Sequence, residues 1–146
     1  MKRRRLIQSM SAAAIVPGSA WAAMRGKSGV GEPVSTGVYE LRVYHAAPGK
    51  LGELLARFRD HTDKIFARHG MKSVAYWTPT DEPQKSEMLI YILAHPSRVA
   101  ASANWKAFQE DAEWNSVRDK SEVNGKLAEK VDSTFMELTD FSNKLA

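Results

Sequence analysis

His95 is the residue of this chain whose type and position most invite chemistry. It closes an apolar run, Met88–His95, directly before Pro96. An imidazole titrates near neutral pH and can serve as a general acid or base. Arg42 and Tyr44, alternate residues of the stretch VYELRVYH, are the other polar groups that could join it. Tyr76, Trp77, Trp105, Phe108 and Trp114 could line a pocket around them. The competing reading is ordinary core, because aromatics at helical spacing usually just pack.

Other chemistries find less support. The chain has no cysteine, which excludes a disulfide framework, thiolate catalysis and a lipoprotein anchor. Its histidines are His45, His61, His69 and His95. His61 and His69 are eight apart on a helix, about 80° out of line. His45 and His95 end neighbouring antiparallel strands, which puts them on the order of 20 Å apart. No metal site is expected. There is no Gly-x-Ser-x-Gly and no phosphate-binding glycine loop; Gly29-Val30-Gly31 precedes no helix.

The formal charge of +4 belongs to one end of the chain. Lys2, Arg3, Arg4 and Arg5 cluster there, and residues 1–22 hold no acid. Without that segment, basic and acidic residues balance, which argues against nucleic-acid binding. Residues 1–22 read as an export signal: a basic start, a short apolar run from Met10 to Val16, and Ala20-Trp21-Ala22 as a cleavage site. The apolar run is far shorter than the ~20 residues of a membrane span, so no transmembrane segment is expected in the mature protein. Arg3-Arg4-Arg5-Leu6-Ile7 resembles a twin-arginine signal. Lys2 and Gln8 depart from that pattern, and an ordinary Sec signal is the alternative. Either route predicts a periplasmic protein cut near Ala22. Residues 23–37, rich in glycine, read as a flexible linker.

Four strands and two helical regions must position these residues. Val38–His45 alternates, with Tyr39, Leu41, Val43 and His45 on one face and Val38, Glu40, Arg42 and Tyr44 on the other. Pro48-Gly49 ends it. Leu51, Leu54, Leu55, Phe58, Thr62, Ile65 and Phe66 then form one helical stripe, stopped at Gly70. Glu53 with Arg57 reads as part of the solvated side. Met71–Thr78 and Met88–His95 form a strand hairpin around the loop Pro79–Glu87. Ser97 caps a second helix whose Val99, Ala101, Trp105 and Phe108 face inward. Asp111–Trp114 reads as a turn, Ser116–Val131 as a weaker helical region broken near Asn124-Gly125, and Ser133–Thr139 as the last strand. The order βαββαβ predicts an α+β, ferredoxin-like plait over residues 38–142, followed by a tail at 143–146.

The run YELRVY…PGKLGELLARFRDHT…FARHGMKSVAYW, then LIYILAHPS, WKAFQEDAEWNSVR and the closing DFS, resembles the NIPSNAP family. That resemblance implies a dimeric α/β barrel, in which two sheets pack with helices outside. Some relatives of the fold bind aromatic or polyketide-like molecules between helices and sheet. Others degrade haem, using a histidine after the second long helix. Here that region reads Trp114-Asn115-Ser116-Val117-Arg118, and no histidine follows His95, so no cofactor is expected.

Helices are expected to cover Leu41, Val43, Ile90, Ile92, Ala94, Met136 and Leu138. The opposite face would then present Glu40, Arg42, Tyr44, Tyr91, Phe135 and Glu137 to a second copy, with Arg42 pairing Glu40 or Glu137, so a homodimer is expected. Two functions are open. One is a binding or interaction module for a small apolar ligand or a protein partner; the eukaryotic relatives' association with mitochondrial quality control and vesicle traffic points the same way. The other is a cofactor-independent monooxygenase or isomerase-like enzyme on an aromatic or enolic molecule, using His95 or Tyr44 with Arg42.

Overall fold

The computed structural model describes residues 37–145. The export signal and nearly all of the linker lie outside the described residues. Strands β1 (Val38–Ala46), β2 (Lys72–Trp77), β3 (Met88–His95) and β4 (Ala128–Met136) form one antiparallel sheet in the order β2-β3-β1-β4. That is the ferredoxin-like order, with the opening strand held centrally between β3 and β4.

The first helical region keeps the stripe its sequence predicts but is not uniform. Helix α1 (Leu51–Arg57) runs into a π-helical turn (Phe58–Thr62) and continues as α2 (Asp63–Arg68). Leu54, Phe58, Thr62, Ile65 and Phe66 are buried, as the spacing predicts. The Thr62 hydroxyl donates to the Arg57 carbonyl at 3.2 Å, which ties a polar side chain into the wider turn. Gly70, at φ +73°, ends the region in a backbone conformation that costs a side-chain-bearing residue strain. Arg57 corrects its assignment to a solvated surface. Its guanidinium is buried, donating to Ser121 Oγ and to Glu122 Oε1 at 2.9 Å; Glu53 pairs instead with Lys50.

Ser97 caps α3 (Arg98–Glu110), accepting from the Ala100 amide at 3.0 Å. Ala101 and Phe108 point inward, but Val99 is 81% exposed and does not belong to the core. The expected turn at Asp111–Trp114 is instead a helix start. Asp111 Oδ1 accepts from the amides of Glu113 and Trp114 and caps α4 (Ala112–Ser121). The last strand begins at Ala128, inside the stretch read as helical, and ends at Met136. Its sequence, AEKVDSTFM, has little strand character of its own. Pairing with β1 along its length makes it a strand, a case of tertiary context overriding local preference.

The two sheet faces are the reverse of the expectation. Leu89, Tyr91, Leu93 and His95 are buried beneath the helices, together with Glu40. Tyr39, Leu41, Val43, Ile90, Ile92 and Ala94 lie on the uncovered face, half-buried within this single chain. The core joins Leu54, Phe58, Ile65, Phe66, Met71, Phe108 and Leu127 to the buried residues of β3. Each such side chain contributes roughly 1.5–3 kcal/mol when fully buried.

Candidate functional site

Glu40 is the centre of the polar interior. Its Oε2 accepts from Trp105 Nε1 at 2.7 Å and from His95 Nε2 at 2.9 Å. Its Oε1 accepts from Ser133 Oγ at 2.7 Å and from Arg42 Nη1 at 2.9 Å. Burial by itself would raise the carboxyl, but the hydrogen bonds from His95, Ser133, Trp105 and Arg42 outweigh it and hold the pKa down at about 2. Glu40 is therefore an acceptor-only carboxylate at neutral pH, and His95 must carry its proton on Nε2. One side chain thus links β1, β3, β4 and α3.

Arg42, two residues along β1, extends the network. Its guanidinium lies 4.3 Å from the Trp105 ring centroid and reaches the Tyr44 hydroxyl at 3.5 Å. Burial would lower the Arg42 pKa; Tyr91, Tyr44 and Glu40 outweigh that and raise it, so the cation is permanent. Tyr91 pairs with Arg42 across β1 and β3. Its hydroxyl is buried without a partner, and burial pushes its pKa well up.

A cavity of about 350 Å³ opens between the first helical region and the β2–β3 hairpin, lined by Leu55, Phe58, Arg59, Asp63, Tyr76 and Leu89. The π turn supplies Phe58 and Arg59, and Asp63 follows it directly. Phe58 packs edge-on against Tyr44 and Tyr76 at 5.3 and 5.9 Å between centroids. At the polar end Asp63 Oδ1 accepts from Tyr76 OH at 2.8 Å and from Ser73 Oγ at 2.7 Å. Burial and the neighbouring Asp63 charge raise the Tyr76 pKa, keeping the phenol protonated. With its O–H donating to Asp63, the Tyr76 oxygen is left to accept from a guest.

The residues singled out from sequence are thus partly united. His95, Arg42 and Tyr44 do meet, through Glu40 and through the Arg42–Tyr44 contact. His95, however, has a side chain with no exposed surface. Of the pocket aromatics, only Tyr76 lines the cavity described. Trp105 belongs to the Glu40 network, and Phe108 is core, with Trp114 packed on it at 4.6 Å. Trp77 pairs with Ile90 on the uncovered face and is 46% exposed. The residues expected to face a second copy do not share a free surface. Glu40 and Tyr91 are buried in their own chain, Arg42, Tyr44 and Phe135 lie on the helix-covered side, and the exposed Glu137 lies beyond the end of β4. The sequence reasoning missed Asp63, Ser73 and Ser133. Nothing in their local spacing marks them, since each acquires its partner through the fold.

The sequence matches the NIPSNAP family over residues 39–143. Among curated proteins, none matches the chain. The fold is similar to that of a NIPSNAP domain protein from Burkholderia xenovorans, at 19% identity and a TM-score of 0.62, covering 73% of this chain and 99% of that one. It is similar to a NIPSNAP family protein with unknown function from Agrobacterium tumefaciens, at 20% identity and a TM-score of 0.63, covering 74% and 93%. A dimeric ferredoxin-like protein from an uncultured marine organism shares the fold at 8% identity and a TM-score of 0.53, covering 75% and 93%.

Proposed function

This chain belongs to the NIPSNAP family, and from that premise we propose that it works as a small-molecule-binding module rather than as an enzyme. The observation that carries the reading is the cavity built on the π turn. Single π turns inside helices occur frequently at functional sites. Here the turn and the residue after it bring Phe58, Arg59 and Asp63 to one space of about 350 Å³. That volume lies within the range of small-molecule pockets. The guest is a molecule with an apolar body and a hydrogen-bond donor for the Tyr76–Asp63 end, with the exposed Arg59 at the rim. The sealing of His95 beneath the helices supports binding over catalysis, because a general base must reach the proton it takes.

The uncovered sheet face supports the proposal of a homodimer. Leu41, Val43, Ile90 and Ile92 form an apolar surface on the two central strands, and an antiparallel sheet normally packs such a face on something. The dimeric ferredoxin-like protein of similar fold is in keeping with a second copy as the cover. The basic start, short apolar run and Ala-x-Ala of residues 1–22 support export to the periplasm. Detection of chains starting at Ala23 in a periplasmic fraction tests that part.

The binding reading is tested with the neutral fluorescent probe N-phenyl-1-naphthylamine. The wild-type protein is expected to bind it saturably, and Leu55→Trp, which fills the cavity from its partly exposed wall, is expected to abolish binding without loss of the folded state. Absent saturation in the wild type, or unchanged binding in Leu55→Trp, would remove the proposal.

A further inference from the structure

A second cleft lies between α3 and β4, remote in composition from the apolar cavity. Its volume is about 480 Å³, and its charged lining is Arg42, Arg98, Lys106 and Glu40. The one acid is no counter-charge in waiting. All four of its hydrogen bonds go to groups of the protein, His95, Trp105, Ser133 and Arg42. Three cations therefore line the cleft beside one saturated carboxylate, with Lys106 also lying 3.9 Å from Glu110 at the rim.

The cations are also held in unusual ways. Arg98 makes no ion pair among the described residues. Its guanidinium carbon lies 3.5 Å from the Phe135 ring centroid, stacked on an aromatic face. It opens α3, whose first turn contains no acid. A cation there opposes the helix dipole, and the Phe135 stack is its one cation–π contact among the described residues. Arg42 is fixed from two sides, by Glu40 at 2.9 Å and by the Trp105 ring, and keeps some exposure to the cleft. Its Nε is buried and unpartnered. Guanidiniums fixed on aromatic faces lose little freedom on binding, and their planar forks suit carboxylate and phosphate oxygens.

We propose that the cleft between α3 and β4 binds a small organic anion whose carboxylate or phosphate is met by Arg42 and Arg98. Lys106, exposed at the rim, adds long-range attraction rather than a fixed contact. Trp105 and Phe135 give the rest of the molecule an apolar edge to lie against. This site is independent of the cavity at Tyr76, and either can fail without the other.

Isothermal titration of the full chain at low ionic strength tests the inference, with benzoate and inorganic phosphate as separate probes. At least one is expected to bind saturably. Benzoate alone points to an organic carboxylate, and phosphate alone to a phosphorylated molecule. Arg98→Gln removes an exposed, unpaired cation and leaves folding intact; it is expected to weaken that binding about tenfold. Arg59→Gln, at the other cavity, is expected to leave it unchanged. Binding of neither probe, equal binding by Arg98→Gln and wild type, or an equal loss in Arg59→Gln would overturn the site.

Discussion

Glu40 Oε2 and His95 Nε2 lie 2.9 Å apart across β1 and β3, both side chains essentially without exposed surface. A carboxylate and an imidazole so placed resemble half of a catalytic apparatus. Their surroundings also make them a clasp across the sheet. Glu40 has spent both oxygens on four donors, and the His95 side chain has no exposed surface. The pair fixes the α3 side of the sheet, and that in turn sets the cleft where Arg42 and Arg98 are found.

Removing the clasp's charge is expected to be costly. In Glu40→Gln an amide nitrogen replaces one carboxylate oxygen, so a donor confronts either the Arg42 and Ser133 donors or those of His95 and Trp105. A loss of about 3 kcal/mol is expected in urea denaturation, the order found when one partner of a buried pair is removed. A loss under ~1 kcal/mol would mean that the network contributes little.

The same carboxylate predicts an acid limb. The folded pKa of about 2 lies below the ordinary 4.5, so the stabilisation is complete above pH 4.5 and is lost as pH falls from there towards 2. Asp111, whose pKa is lowered by Arg68, the Trp114 amide and His69, acts in the same direction. The difference between wild type and Glu40→Gln isolates the first group. That difference is expected to shrink steadily between pH 4.5 and 2; a constant difference would contradict the assignment.

The proposed homodimer is tested at the uncovered face. Ile92→Glu places a charge at the centre of the apolar surface, on β3. Weakening of dimer association by more than ~100-fold is expected, read by size-exclusion chromatography with light scattering. Glu137→Ala, beyond β4, is expected to leave association intact. A wild type that is monomeric at micromolar concentration, or an Ile92→Glu dimer, would count against this face.

The π turn has its own test. Thr62→Val keeps the shape of the buried side chain and removes the bond to the Arg57 carbonyl. Loss of that bond and the orphaned carbonyl are together expected to cost about 1–2 kcal/mol in the same urea assay. Weaker N-phenyl-1-naphthylamine binding is expected to accompany it, because Phe58, Arg59 and Asp63 take their positions from the turn. Stability and binding both unchanged would show that the turn does not depend on Thr62.

Much of the fold was legible in the chain. Alternation in VYELRVYH, the stripe from Leu51 to Phe66, the stop at Gly70 and the cap at Ser97 each follow from local spacing and backbone chemistry, and each stands in the structure. The order βαββαβ followed from them. The residues of the NIPSNAP pattern carried the family. What the local signal could not fix was parity. MLIYILAH is apolar on both faces, so its periodicity does not say which face the helices take. On β1 the charges of Glu40 and Arg42 argued for the outer face, because an unpaired buried charge is expensive. The tertiary structure reversed that inference by supplying His95, Ser133 and Trp105, which lie between 55 and 93 residues away from Glu40. It likewise made a strand of Ala128–Met136 and a polar pocket end of Asp63, Ser73 and Tyr76. Sequence determined the elements, because those depend on near neighbours. The site was decided by contacts between distant segments, whose hydrogen bonds reverse the cost of burying charge.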